Sequence, residues 1–514
     1  MNAQQVMAMS PLIITAATAV AVMLAVAIRR SHAVSAGMTL AGLGASLAAC
    51  VAVGIGAAPV AVAHLLLVDS YGAFYMALSA GGAMAAAMLA HRGLARGAGL
   101  EDPPTSRGEE FYILLLAAAL GAQVLACGVH FASFFLGLEL LTIPLYGLIA
   151  YRRHSSAAIA AAIKYLVLAS VATSLLLLGL AMIYADTGTM RLDELAAAAR
   201  AYSASATASA SAATSAGKAG ATILVLAGVA LVLVGIAFKL ALVPLHFWAP
   251  DVYQGAAPAV GGLLATVSKG AVFGLLLRCS VSLDLAAHRQ AWTLVWIVAA
   301  ATMSVGNLLA IRQRNIKRLL GCSSIANAGY LLAGLLAGGA TGAQAATFYL
   351  VAYFAATLAA FGVVGAVTGT GGLMQDLDDY RGLAWRRGGL AGVLTVAMLS
   401  LAGMPLTAGF MAKFYIVLAG VGEGLWVLVI VLLANSVLSL FYYLRVVVAV
   451  YAAPAESHAP AGAVRESPEP AAAVRPAGIL AAVAVTVLLA ATIYLGVLPG
   501  PATAVIRSAV ASLF

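Results

Sequence analysis

The sequence predicts an all-α polytopic membrane protein of about fourteen transmembrane helices, and three observations carry that prediction. First, 63% of the 514 residues are hydrophobic and only 9% are charged, where soluble domains run near 25% charged. Second, the apolar residues gather in runs of about 20, the length a helix needs to cross a bilayer. Third, the runs lack the short alternating pattern of a membrane barrel strand.

The runs lie near 10–28, 33–53, 66–90, 111–129, 131–150, 158–184, 221–246, 256–278, 291–311, 319–338, 343–368, 389–419, 424–450 and 477–498. The segment Met1 to Pro11 has no Lys or Arg, so it lacks the basic start of a signal peptide, and the first run is expected to stay as an anchor. Only a tight turn near His130 separates the fourth and fifth runs. Residues 187–220, rich in Ala, Ser and Thr, read as a flexible loop in which only Met190 to Arg200 has a helical pattern. Residues 452–476, rich in Pro and Ala, read as a second solvated linker.

The basic residues test this count. Seventeen of the 27 fall in odd-numbered loops and six in even-numbered loops and the C-terminal tail. Cytoplasmic loops carry the excess of Lys and Arg, which puts the odd-numbered loops in the cytoplasm and both termini outside. The same bias accounts for the +9 net charge without nucleic acid. The four cysteines, Cys50, Cys127, Cys279 and Cys322, are scattered without a C-x-x-C pair. Iron–sulfur ligation and a disulfide framework are therefore not expected. No Gly-rich phosphate loop of the Walker or Rossmann type is present, so the chain is expected to hold no cofactor or metal itself.

The remaining four basic residues, Lys164, Lys239, Lys269 and Lys413, sit inside apolar runs. A lysine at the centre of a membrane helix costs about 2.5–3.5 kcal/mol to insert, so four cost about 10–14 kcal/mol before any pairing. Such residues face a bundle interior or a wet cavity and mark ion or proton paths. Glu139 is read as the only acid buried in any run. Its bland role is a counter-ion that holds helices together; its functional role is one half of a switchable ion pair, with Lys239 the best partner. Burial disfavours a charged amine and a nearby carboxylate favours it again, so making or breaking that contact would change the hold on a proton. Lys164, only about one and a half turns into its run, can snorkel to the cytoplasmic surface instead. His130 and His246 are candidate relays whose alternative is a structural role.

The seventh and twelfth runs contain Pro244 and Pro405 well inside them. A proline removes a helical hydrogen bond and clashes with the carbonyl four residues back, which frees backbone polarity near Leu240 and Leu401. Broken helices at membrane depth are tolerated where they line a cavity; a plain kink is the alternative. The two breaks are five helices apart, and five is odd, so helices 4–8 and 9–13 would form two inverted five-helix repeats. The expected organisation is 1–110 for helices 1–3, 111–278 for the first repeat, 291–450 for the second, and 451–514 for the linker and fourteenth helix.

These residues carry a resemblance. The stretch Phe238-Lys239-Leu-Ala-Leu-Val-Pro244-Leu-His246-Phe-Trp-Ala-Pro250-Asp251-Val-Tyr-Gln-Gly255-Ala resembles the signature of the antiporter-like membrane subunits of respiratory complex I, the NADH–quinone oxidoreductase. The Asp-Val-Tyr-Gln-Gly wording is most similar to the subunit N group. Ala265-Thr-Val-Ser-Lys269-Gly-Ala, Asn315-Ile-Lys317-Arg-Leu-Leu-Gly-Cys, Asp378-Asp-Tyr380-Arg-Gly-Leu and Leu401-Ala-Gly-Met-Pro405-Leu-Thr-Ala-Gly-Phe-Met-Ala-Lys413 also match. A lysine at 413 fits this group; a sister subunit, M, carries glutamate there. The likeness covers roughly residues 65–450.

What the resemblance implies is a fourteen-helix fold with two inverted units and a proton path through Glu139, Lys239, Lys269 and Lys413, the first two as an ion pair. It implies a hetero-oligomeric complex of about fourteen subunits, with membrane partners such as subunits M, K and J. FMN, iron–sulfur clusters and quinone would lie in partner subunits, and membrane lipid would surround the chain. Two departures stand out. Asn327 occupies a tenth-helix position where the family commonly has histidine, so a relay there would need water or be dispensable. The family's Gly-Ala-Pro reads Gly255-Ala-Ala-Pro258 here. Two rival readings are an Mrp-type or stand-alone cation–proton antiporter, and a scaffold whose charges only lock helices together.

Overall fold

A computed structural model of the chain describes residues 2–55, 58–95, 108–197, 215–283, 289–368, 375–453 and 478–514. Twelve of the described helices are long and apolar enough to cross a membrane. Three shorter apolar segments, Leu224–Leu240, Gly388–Ala402 and Ala408–Gly422, fill the seventh and twelfth of the fourteen expected positions. The chain is thus an all-α membrane protein, and spans are numbered below by those positions.

Local signals set several helix ends. Pro11 stands in the first turn of Ser10–Ile28, where its missing N–H is no loss. Ser155 and Asn315 cap the sixth and tenth spans, Ser156–Thr187 and Ile316–Leu336, by accepting the amides of Ala158 and Arg318. Gly188, at φ +69°, closes the sixth span in the left-handed conformation. Three residues separate the fourth span, Glu109–Cys127, from the fifth, Phe131–Ile149, as the turn near His130 predicts. Pro144 lies inside that fifth span without ending it.

Three expectations need correction. The third run begins with a strand: Val60–Val62 pairs antiparallel with Leu66–Val68 through a turn with Ala63 and His64 at positive φ, and the helix starts only at Ser70. A short apolar run does not distinguish strand from helix by hydropathy. Next, the seventh-span helix starts at Ser215, inside the segment read as a loop; the alanines there favour helix as much as they suggest low complexity. Within that segment residues 192–197 are helical, and 198–214 lie outside the described residues, as do 454–477 of the second linker. Finally, Glu139 is not the only buried acid: it is itself half-buried, whereas Asp69 and Glu109 are fully buried.

The eighth span (Pro258–Ser282) and the tenth are buried along their full apolar windows, and the eleventh (Gly339–Thr368) nearly so. The eleventh packs against the third, eighth, tenth, both halves of the twelfth, and the fourteenth span. These three helices form the centre of the molecule. They carry Lys269, Asn327 and a set of tyrosines there, while the outer spans turn apolar faces outward.

Candidate functional site

Lys239, Lys269 and Lys413 each sit at a discontinuity in the helix that carries them. Lys239 is the last residue but one of Ser215–Leu240. The chain then runs irregularly, with Ala241 at φ +59° and a cis Val243–Pro244 bond, until a new helix starts at Ala249. The backbone groups released there find partners. The Trp248 indole donates to the Phe238 carbonyl at 2.9 Å, and the Val243 amide donates to Thr302 Oγ1 at 3.1 Å. This second contact ties the seventh-span break to the ninth span, Arg289–Ile311.

The Lys239 ammonium donates to Thr142 Oγ1 at 2.6 Å and lies 5.6 Å from the Tyr165 ring centroid. Thr142 is three residues beyond Glu139 on the fifth span, so both face the same side of that helix. No direct ion pair joins Glu139 to Lys239 among the described residues. One carboxylate oxygen of Glu139 is buried without a hydrogen-bond partner. The ammonium therefore rests on the threonine, one turn from the carboxylate.

Lys269 begins the helix Lys269–Ser282, directly after a π-helical turn, Leu264–Ser268. Such turns leave backbone carbonyls displaced and recur at functional sites. Its ammonium, 2% exposed, donates to Ser324 through the carbonyl oxygen and Oγ, both at 2.9 Å.

Lys413 lies in Ala408–Gly422, the second half of the twelfth span. The first half, Gly388–Ala402, ends at Gly403 with φ +87°, and Pro405 and Leu406 (φ +68°) complete the interruption. The lysine side chain folds back across it. Its ammonium donates to the Ala402 carbonyl at 2.8 Å and Ser436 Oγ at 2.9 Å, and lies 5.0 Å from the Tyr330 ring centroid. The carbonyl it takes is one the helix end leaves free. A Cβ on Gly403 would lie 2.8 Å from Lys413 Cδ, so glycine gives both the left-handed turn and the room for this side chain.

The other candidates lie elsewhere. Lys164 pairs with Asp251, which also takes Arg318 at 2.7 Å; this three-charge cluster is about one-third exposed and does not contact Glu139. It explains why Asp251 stands in a loop without basic residues of its own: the cations come from the sixth and tenth spans. His130 caps the fifth span, its Nδ1 accepting the Ala132 amide at 3.1 Å. His246 is 6% exposed, and its Nδ1 has no partner. Asn327 donates to the Ser323 carbonyl at 2.7 Å and accepts from the Tyr349 hydroxyl at 2.5 Å.

Sequence reasoning missed a buried ion pair. Arg278 holds Asp69 with two nitrogens at 2.9 and 2.8 Å, with side-chain exposures of 3% and 1%. Asp69 also accepts the Gly72 amide at 2.6 Å. Both charges lie at the ends of apolar runs, where they read as loop residues. Lys317 was likewise assigned to a loop; it is 2% exposed and donates to the Ala256 carbonyl at 3.2 Å.

Broken apolar helices that place ammonium groups on hydroxyls and freed carbonyls define an antiporter-like membrane subunit. Residues 129–439 match the family model described as NADH:quinone oxidoreductase/Mrp antiporter, transmembrane. NADH-quinone oxidoreductase subunit N of Ectopseudomonas mendocina is 41% identical over 452 residues, covering 88% of this chain and 87% of its own. A chain of respiratory complex I from Thermus thermophilus, solved with bound aureothin, is 32% identical with a TM-score of 0.76, covering 97% of this chain and 99% of that one. A chain of the Mrp complex from Dietzia sp. DQ12-45-1b has a TM-score of 0.82 at 23% identity, covering 100% and 98%, and shares the fold. The chain belongs to the NADH:quinone oxidoreductase/Mrp antiporter family of membrane subunits.

Proposed function

We propose that this chain is the proton-translocating subunit N of a respiratory NADH–quinone oxidoreductase, a translocase in which electrons pass from NADH to quinone in other subunits. The observation that carries the mechanism is the placement of Lys239, Lys269 and Lys413, each buried at a helix discontinuity and each held by neutral oxygen acceptors. Neutral acceptors steady an ammonium without fixing it as firmly as a carboxylate would, which suits a group that gains and loses a proton. Glu139 lies one turn from the Lys239 docking place and provides the charge that draws the ammonium across. Lys413 closes the path at the far end, and Lys164 with Asp251 and Arg318 lies at its cytoplasmic mouth.

In this reading helices 4–8 and 9–13 are inverted repeats, each with one broken span. The basic-residue bias places odd loops in the cytoplasm and both termini in the periplasm of a bacterial inner membrane. Neighbours are further membrane subunits, with M, K and J the expected ones, and the redox centres lie in partner subunits.

The test is native purification of the tagged chain from its own membranes, with assay of the eluate. NADH–quinone activity together with flavin- and iron–sulfur-containing chains supports the reading. A chain that elutes with small hydrophobic partners, lacks redox activity and acidifies vesicles in response to sodium makes it an antiporter subunit instead.

A further inference from the structure

Two histidines and a tyrosine meet where the second, third and fourth spans reach the side that the basic-residue bias assigns to the cytoplasm. His32 opens the second span, His32–Gly54, and His91 stands in the last two turns of the third-span helix, Ser70–Ala95. Tyr112 lies in the first turn of Glu109–Cys127. Tyr112 is buried and both imidazoles are half-buried, so the rings keep an exposed edge and the phenol closes the inner side. Both rings converge on one atom. Tyr112 Oη lies 3.2 Å from His91 Nδ1 and 3.2 Å from His32 Nε2, and the imidazole centroids are 4.7 Å apart. A phenol has one proton and can give it to only one of these nitrogens. The other ring must then turn an N–H toward the phenol oxygen.

The same geometry suits a metal ion. A tetrahedral metal with bonds of about 2.0–2.1 Å holds its ligand atoms about 3.3–3.4 Å apart. Both separations of 3.2 Å come within about 0.2 Å of that spacing. Two imidazoles bound to one such ion stand about 5 Å apart from centroid to centroid, close to the 4.7 Å found here. Imidazole nitrogen is a preferred donor to zinc, copper and nickel. Arg30, two residues before His32, is neutralised by Glu110 at 2.7 Å, so it opposes a bound cation only weakly. Among the described residues no three of His, Cys, Asp and Glu gather into a metal set; here a phenol completes a histidine pair. The three donors come from three spans, so no ligand spacing along the chain announces them.

We propose that His32, His91 and Tyr112 form a site for one divalent cation of the zinc class, with water as the fourth ligand. Each imidazole gives a nitrogen lone pair, the phenol gives its oxygen, and the phenol proton passes to solvent as the metal binds. The ion cross-links three spans at one end. The third span packs against the eighth and eleventh, so the clamp fastens the second and fourth spans to the centre of the molecule. None of its three ligands belongs to the lysine path, and the site stands or falls separately from proton movement.

The experiment strips the whole purified complex with a chelator and titrates it with Zn²⁺, beside His32→Gln and His91→Gln. Glutamine can still hydrogen-bond the phenol but is a poor zinc ligand, so each variant removes the metal and keeps the contact. The readouts are zinc bound per complex and the temperature at which assembled complex is lost. A metal that binds only the folded state raises that temperature. The expected result is one more zinc in the wild type than in either variant, with the zinc needed for half the thermal shift raised by more than roughly 10- to 100-fold in the variants, the loss that an outer-shell partner alone would give. Equal zinc counts and equal shifts in wild type and variants overturn the site, as does a wild-type complex that takes up no zinc. An anomalous-scattering map of the zinc-treated wild type gives an answer even where the variants fail to assemble. A peak between the three donor atoms supports the site, and no peak there overturns it.

Discussion

Thr142→Val is the perturbation that most directly probes the proposed movement of the Lys239 ammonium between Thr142 and Glu139. The change keeps the shape of the side chain and removes the oxygen that holds the ammonium at 2.6 Å. A hydrogen bond to a charged group is worth about 1.5–3 kcal/mol, and about 1.4 kcal/mol is a tenfold change in an equilibrium. Loss of the threonine should therefore shift the ammonium toward Glu139 by roughly 10- to 100-fold. The same hydroxyl donates to the Leu138 carbonyl, but that carbonyl belongs to an unbroken helix, so the fold should hold. An ammonium kept beside a carboxylate keeps its proton, and turnover of the path should slow. The assay is vesicle acidification per NADH oxidised by the assembled complex, with a map that locates Lys239 Nζ. A wild-type ratio with Nζ still away from Glu139 would refute the two-place reasoning.

Other outcomes follow from the same geometry. Asp69→Asn leaves Arg278 buried without its counter-charge, and should cost about 3–5 kcal/mol, read as earlier thermal loss of assembled complex; Asp69→Leu with Arg278→Leu should recover part of it. Gly409→Ala puts a Cβ 1.7 Å from the Ser400 carbonyl oxygen, whereas at Gly44 nothing lies within 4 Å; complex yield should collapse for the first and stay at wild type for Gly44→Ala. Asp251→Asn disturbs a cluster about one-third exposed, worth about 1 kcal/mol or less, so unfolding temperature should barely move and pumping should fall less than in Lys239→Met.

The twelve long apolar helices are legible in the sequence because hydropathy over about 20 residues reports the lipid environment directly. The lysines were legible for the same reason: charge in an apolar run stands out locally. Their partners were not, since Thr142, Ser324 and Ser436 come from other spans, and nothing local distinguishes them from hydroxyls bonded within their own helix. Asp69 and Arg278 show the limit from the other side. Each stands at a run's edge, where a charge reads as solvated, and only the tertiary contact between the third and eighth spans buries them. Proline alone was ambiguous: Pro144 stays within a continuous helix, while Pro244 and Pro405 lie in interruptions accompanied by residues at positive φ, Ala241 and Leu406. The π turn before Lys269 has no composition signal at all.

The measurement that tests the central claim most directly is the proton-to-electron ratio of purified, assembled complex carrying Lys239→Met in sealed vesicles. A subunit that moves protons through this lysine predicts a ratio clearly below wild type in complex of normal composition. A wild-type ratio from the same fully assembled preparation would contradict it and leave Lys239 as a structural charge.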